Sequence, residues 1–308
     1  MPQATALQRA PALRPGDRVR LVAPASPFDR KRFERGMDVI RRLGLVPVCD
    51  RAEFAENGFL AGDDESRARR LRQAFLEEDT RAVWAIRGGY GTARLFSHLD
   101  LAELRRRPKM LIGFSDLTAL LNQLCASGGF AVVHGPVITQ LPDVPAPALR
   151  WLKRLLFDPT PPGPVPLGKL KPLVPGGVNG FLAGGNLSIL ASLCGTPYFP
   201  ELSGAILCLE DTGEAAYRLD RCFLQLRQAG ALDRVFGVIL GRLDGCTPDT
   251  GRWSARATLE RAVQALGVPA VSGASFGHFC RNVALPLGAM ARLDAGRGEL
   301  WLLEGAVL

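Results

Sequence analysis

Between Asp17 and His134 short apolar runs alternate with stretches of helical period, and this alternation limits the fold more than any other feature of the chain. From Asp17, DRVRLVAPASP reads as a strand ending in a Pro-punctuated loop; Lys31 to Leu43 then sets Phe33, Met37, Ile40 and Leu43 on one helical face and stops at Gly44. Val46 to Cys49 is a second strand, Glu53 to Asp64 a polar loop, and Ser66 to Glu78 an Arg-rich helix that Ser66 can cap. Ala82 to Ile86, Lys109 to Gly113 and Phe130 to Val133 add three strands, and Leu117, Leu120, Leu121 and Leu124 mark a helix before the last. A β-α repeat of this kind predicts a mostly parallel sheet with helices on both faces and ligands beyond the carboxyl ends of the strands.

Three loops fall on that rim. The first, Arg87-Gly88-Gly89-Tyr90-Gly91, precedes a helix from about Thr92, and its glycines let backbone N–H groups converge on a ligand. Thr92-Ala93-Arg94 stands where a dinucleotide fingerprint needs a third glycine, and no G-K-[ST] supports a P-loop, so a plain tight turn serves equally. At the second, Ser115, the period switches from strand to helix. A serine there holds its Oγ at the sheet edge, ahead of a helix N-terminus that favours negative charge, which suits a nucleophile. Gly113 fills the first small position of a G-x-S-x-G elbow but Leu117 replaces the second, and Ser115 or Asp116 fits an N-cap as well. The third loop begins at His134, before Gly135-Pro136.

Ten of the 23 prolines lie between Leu141 and Val178, around a short apolar helix near Leu149 to Phe157, as suits a semi-rigid connection. With 308 residues and 47% hydrophobic content, the chain supports two domains: residues 1–143, a Pro-rich linker 144–178, and 179–308. The second half reads as strand, Gly-Gly-Asn turn and helix over Gly180 to Tyr198, then strand Ala205 to Glu210 and helix Ala216 to Ala229. Strand Phe236 to Leu240, helix Ser254 to Leu266 and strand Pro269 to Ser272 follow, and strands Ala289 to Asp294 and Glu299 to Leu303 form a hairpin about residues 295–298. The expected fold class is α/β, a mostly parallel N-terminal sheet domain followed by a smaller mixed α/β domain.

Composition narrows the function. The formal charge is +8, but only five of the 38 basic residues are Lys, the Arg are spread along most of the chain, and no basic run is interleaved with aromatics; a nucleic-acid partner is not expected. Seven scattered Cys without a C-x-x-C pair read as small reduced core residues. The first residues, MPQATALQRAPALRPGD, lack a leader's apolar core, and no uncharged apolar run is long enough to span a bilayer, so a cytoplasmic protein without a membrane partner is expected.

A nucleophilic Ser115 needs a base and a group to orient it. Of the three histidines, His98 has ordinary polar neighbours, while His134, on the strand after the nucleophile helix, and His278, in a loop of the second half, both qualify. Glu210, ending the apolar strand AILCL, is the conspicuous acid, with Asp211, Glu214 and Asp220 nearby. Asp116 cannot easily reach back to a histidine bonded to the Ser115 Oγ. Tyr90 in the glycine-rich turn and Asn186 in the Gly-Gly-Asn turn are candidate substrate-binding residues. Every Gly-rich turn also fits a non-catalytic two-domain small-molecule binding protein. A metallopeptidase has no evident ligand set, since the histidines are dispersed and H-E-x-x-H is absent; no metal or other cofactor is expected.

Seven short motifs stand in order: Pro15-Gly16-Asp17 with Val22-Ala23-Pro24-Ala25-Ser26, Arg87 to Gly91, Gly113-Phe114-Ser115-Asp116, His134-Gly135-Pro136, Gly184-Gly185-Asn186-Leu187, Leu209-Glu210-Asp211 and Phe276-Gly277-His278. Together they resemble the LD-carboxypeptidase family of serine peptidases, which includes muramoyltetrapeptide carboxypeptidases and microcin C self-immunity proteins. The resemblance implies Ser115 as nucleophile, His278 as base, Glu210 as orienting acid, and the N–H groups of Gly89 and Asp116 as oxyanion donors. It also implies a first domain like class I glutamine amidotransferases, a homodimer, and a muropeptide substrate cut at its terminal D-Ala during cell-wall recycling. The immunity branch, which cleaves peptidyl or aminoacyl nucleotides, would want an aromatic platform; none stands around Leu193-Cys194-Gly195, although Tyr198 and Phe199 are close, which favours the murein enzyme.

Overall fold

A computed structural model describes residues 8–125, 129–247 and 253–308; residues 1–7, where the stretch read for a leader begins, lie outside the described residues. The first elements are β1 (Arg18–Val22), α1 (Arg30–Arg42), β2 (Val46–Val48), α2 (Asp64–Leu76), β3 (Ala82–Ala85), α3 (Leu101–Arg105), β4 (Met110–Gly113), α4 (Thr118–Cys125) and β5 (Val132–His134). There follow α5 (Ala146–Phe157), β6 (Gly163–Pro164), β7 (Lys171–Val174), β8 (Gly177–Asn186), α6 (Leu187–Ser192), β9 (Ala205–Thr212) and α7 (Ala216–Gln228). The chain continues with β10 (Gly237–Asp244), α8 (Ala255–Gln264), β11 (Ala270–Ser272), β12 (Leu285–Leu287), β13 (Met290–Asp294) and β14 (Glu299–Leu302). Among the described residues no helix is long and apolar enough to cross a membrane.

Two sheets result, and both are mixed. The first has the order β12-β5-β4-β3-β1-β2, parallel throughout except where β12 runs antiparallel to β5. Its central β3 and β4 are buried at every position, as parallel strands covered on both faces require. The second has the order β6-β14-β13-β8-β9-β10-β11-β7, with a parallel centre from β8 to β11 and antiparallel flanks. The hairpin read about residues 295–298 is β13–β14.

Three local expectations change. The Pro-rich segment 144–178 builds α5 and two strands, β6 and β7, that pair with the second sheet. Both are edge strands, where a missing N–H is tolerated. Behind the glycine-rich turn stands a 3-10 turn, Ala93–His98, with α3 beginning only at Leu101. All seven cysteines are free thiols; Cys208 is buried, five more are half-buried at the rims of the two cores and not inside them, and Cys280 is exposed.

A buried seam joins the sheets. The Asn122 side chain on α4 donates to Gly184 O at 2.8 Å and accepts from Gly184 N at 2.9 Å, while Asn186 N donates to Thr118 Oγ1 at 2.9 Å. Gly185 permits this approach, because a Cβ there would lie 2.5 Å from Thr118 Oγ1. One apolar core runs through the seam, from Ile112 and Leu117 to Leu182, Ile206 and Phe276. A second, including Leu190, Leu207, Leu219 and Val238, lies among α6, α7, β9 and β10.

Candidate active site

The turn out of β4 is strained. Phe114 is extended, Ser115 has φ 67°, and a 3-10 turn over Ser115–Leu117 leads into α4. Ser115 is the only non-glycine residue with positive φ among the described residues. Left-handed backbone costs a residue with a Cβ about 1–2 kcal/mol, so the surrounding contacts must impose it. The Ser115 hydroxyl points to an imidazole, that of His278. Gly88 gives it room, since a Cβ at that position would lie 2.9 Å from Ser115 Cβ and 3.1 Å from its Oγ.

The glycine-rich loop is tied to this turn from both sides. Asp116 turns inward, its buried carboxylate accepting from Thr92 N at 2.7 Å and from the Thr92 hydroxyl. Ser26, on the loop after β1, accepts from Tyr90 N at 3.1 Å, and its own N–H donates to Gly88 O at 3.3 Å. Gly89 sits directly over Ser26, with φ 111° and a would-be Cβ only 2.3 Å from Ser26 Oγ. The loop is thus fixed beside Ser115 at the wall of a cleft of about 520 Å³ that Gly88, Gly89, Ser115 and His278 share.

His278 arrives from the second sheet. Its Nε2 lies 2.8 Å from Ser115 Oγ and its Nδ1 lies 2.7 Å from Glu210 Oε2. Glu210, on β9, is fully buried, and Gly277 makes room for it: at φ 112° a Cβ would stand 2.6 Å from Glu210 Oε2. The histidine loop is strapped across the seam. Gly277 N donates to Asn282 Oδ1 at 2.9 Å, Asn282 Nδ2 to Gln140 Oε1 at 3.1 Å, and Gln140 Nε2 to Phe279 O at 3.0 Å. The imidazole rests against Phe114 with ring centroids 4.7 Å apart.

Burial pushes the Glu210 carboxyl above the usual range, against the opposing hydrogen bond and charge of His278. Burial pulls His278 down, but the hydrogen bond and charge of Glu210 outweigh it and hold the imidazole above its ordinary value. A hydroxyl, an imidazole and a buried carboxylate in line form a relay able to take a proton from the hydroxyl and hold it.

Two domain profiles match the chain: the LD-carboxypeptidase N-terminal domain over residues 19–135 and the LD-carboxypeptidase C-terminal domain over residues 179–293. The chain belongs to the LD-carboxypeptidase family. It is a serine-type LD-carboxypeptidase. A murein tetrapeptide carboxypeptidase of Pseudomonas aeruginosa is 34% identical, covering 91% of this chain and 94% of its own. The crystal structure of a muramoyltetrapeptide carboxypeptidase from Oxalobacter formigenes superposes with a TM-score of 0.81 at 31% identity, over 92% of this chain and 97% of that one. The microcin C7 self immunity protein MccF shares the fold, with a TM-score of 0.89 at 21% identity over 97% of this chain and 99% of that one.

In this LD-carboxypeptidase the other sequence candidates are not members of the relay, although Asn186 and Asp211 adjoin Glu210. His134 is buried behind it between the edges of Phe114 and Phe276, each ring 5.8 Å away, and neither of its nitrogens has a partner among the described residues. Burial, and then the charge of His278, push its imidazole down to about 3, which keeps the ring neutral. His98 is exposed at the end of its 3-10 turn. Asp211 accepts from Asn186 Nδ2, Ser188 N and Ser188 Oγ at 3.0, 2.9 and 2.6 Å and is consumed in holding the start of α6. Glu214 is half-buried and Asp220 exposed, and neither lines the cleft.

Asn186 stands at a helix start. Its side chain caps α6, accepting from Ile189 N at 3.0 Å, and donates to Asp211; it is buried and does not line the cleft. Tyr90 is half exposed outside the cleft wall, edge-on to Phe59 at 5.5 Å. Sequence reading missed Ser26, Gly88, Gln140 and Asn282 as supports. Ser26 lay inside a quoted motif and Gly88 inside the glycine-rich loop, but the strap from Gln140 to Asn282 spans 142 residues and leaves no local signal.

Proposed function

We propose that this LD-carboxypeptidase hydrolyses the L,D-peptide bond to the terminal D-Ala of murein tetrapeptides, through Ser115, His278 and Glu210. The observation that carries the reading is the relay itself, Ser115 Oγ to His278 Nε2 at 2.8 Å and His278 Nδ1 to Glu210 Oε2 at 2.7 Å. His278 takes the proton as Ser115 Oγ bonds to the scissile carbonyl carbon. The N–H groups of Gly89 and Asp116 receive the negative oxygen, one such donor typically contributing about 2.7–4 kcal/mol. Collapse breaks the C–N bond, His278 protonates the departing D-Ala nitrogen, and water hydrolyses the acyl-serine by the same relay.

The names of the related murein enzymes support this substrate class. Near Leu193-Cys194-Gly195, Tyr198 packs on Phe96 with centroids 4.6 Å apart and Phe199 packs against the core, both half-buried. In this reading the enzyme works in the cytoplasm during murein recycling, as a homodimer. The test is incubation with a defined murein tetrapeptide and, in parallel, a peptidyl adenylate, with product masses read out. Release of D-Ala from the tetrapeptide is expected; cleavage of the adenylate alone would replace this reading with the immunity-type activity. Sedimentation of the purified protein tests the dimer.

A further inference from the structure

The charged side chains lining the cleft, besides His278, are Arg32, Arg87 and Asp143, and they are not equivalent. Arg32 donates from Nε to Thr139 O at 3.0 Å and pairs through a terminal nitrogen with Asp143, so its charge is met within the protein. Arg87 is exposed at the cleft and donates from one terminal nitrogen to the carbonyl of Pro27. Among the described residues no carboxylate stands within ion-pair distance of it. A neutral carbonyl thus fixes one corner of its fork and leaves the positive charge uncompensated, inside the space a substrate must enter.

Its place in the chain sharpens the point. Arg87 stands two residues past the end of β3 and precedes Gly88, which makes room for Ser115, and Gly89, which walls the cleft beside it. A guanidinium is the side chain best shaped to receive a carboxylate through two parallel hydrogen bonds. A peptidase that removes one terminal residue always meets a carboxylate, that of the residue about to leave.

We propose that Arg87 binds the C-terminal carboxylate of the peptide substrate and thereby restricts cleavage to the terminal residue. The proposal rests on the carboxypeptidase reading. Arg87 is a specificity-determining residue and takes no part in proton transfer. An internal bond would bring a neutral amide to Arg87 and leave the guanidinium unmatched, whereas a free terminus neutralises it. A charge-assisted hydrogen bond of this kind corresponds to about a 10- to 100-fold preference.

The experiment compares kcat/KM for a murein tetrapeptide ending in free D-Ala with the same peptide ending in D-alaninamide. Wild type is expected to favour the acid by about 10- to 100-fold. Arg87→Gln is expected to lose most of that preference by raising KM for the acid while leaving the amide unchanged, and Arg87→Lys to keep part of it. Because both substrates are read on one preparation, a partly misfolded variant cannot imitate this result. Equal rates on the two peptides in wild type, or an equal fall on both in Arg87→Gln, would overturn the proposal. If wild type cleaves neither peptide, the functional reading fails, and calorimetric binding of the two peptides to Ser115→Ala, with and without Arg87→Gln, judges Arg87 alone. An Arg87-dependent preference for the acid sustains the proposal; indifference to the terminus removes it.

Discussion

The chain turns from a strand into a helix at Ser115 and again at Asn186, and the two turns face each other across the seam. At Asn186 the backbone is extended, φ −71° and ψ 123°, and the side chain folds back to cap α6. At Ser115 the backbone is forced to φ 67° and the side chain reaches away, its Oγ 2.8 Å from His278 Nε2. Polar residues at similar turns thus do opposite work. An unstrained turn spends its hydrogen-bonding atoms on its own helix; a strained one holds them out for a partner. The relaxed turn also serves the strained one, because Gly184 and Asn186 grip Asn122 and Thr118 on α4, and Asn186 pairs in register with Glu210.

Ser115→Ala puts the division to its hardest test. It removes the atom that the strained turn presents, so the fold should hold while tetrapeptide cleavage falls by about 10⁶-fold, as when a triad serine is deleted. Steady-state assays together with thermal melting check both halves. Full retention of cleavage would end the assignment of Ser115 as nucleophile.

Glu210→Gln should cost about 10⁴-fold in kcat, because an amide no longer fixes the imidazole tautomer or balances its charge. It also carries a pH signature. The base must be neutral, so activity falls as pH drops through the His278 pKa, which Glu210 holds above the ordinary imidazole value. With Glu210 made neutral, burial of His278 is opposed only by the charges of Asp211 and Asp244, which rank below those of Glu210, and the acid limb of kcat/KM should move to lower pH. A limb that stays in place would assign the titration to another group.

Asn122→Ala tests whether the relaxed side positions the strained side. It strands the buried N–H and C=O of Gly184, at about 1–3 kcal/mol each, so unfolding free energy should drop by about 2–6 kcal/mol in denaturant titration. Since a displacement of roughly 1 Å can cost about 100-fold in rate, kcat should fall alongside. Lost stability with kcat unchanged would mean that the seam holds the fold without setting the relay.

Much of this was legible in the chain because it is local. The apolar runs at β3, β4, β9 and β10 and the switch of period at Ser115 follow from spacing, and the parallel pairing of the first sheet follows from β-α alternation. β12, with Pro286 at its centre, and the edge strands β6 and β7 were not legible, because a proline-bearing strand is recognisable only by the neighbour it pairs with. Spacing left the choice between His134 and His278 open. Both stand at strand ends or just past them, and what separates them is that Gly277 admits Glu210 while Phe114 and Phe276 enclose His134 without a polar partner among the described residues. Those contacts span the two sheets, and no window of sequence contains them.

The smallest effect is expected at the relaxed turn itself. Asn186→Ala removes the acceptor for Ile189 N and one donor to Asp211, and loss of such a cap costs about 0.5–2 kcal/mol. Its backbone N–H still reaches Thr118 Oγ1, so the seam survives and kcat/KM should stay within a few-fold of wild type. Melting temperature should fall by a few degrees. The reverse pattern, with unchanged melting and a large rise in KM, would mean that the amide leaves its cap to meet substrate. The two turns would then share the work of the site, and the strain at Ser115 would no longer be what sets it apart.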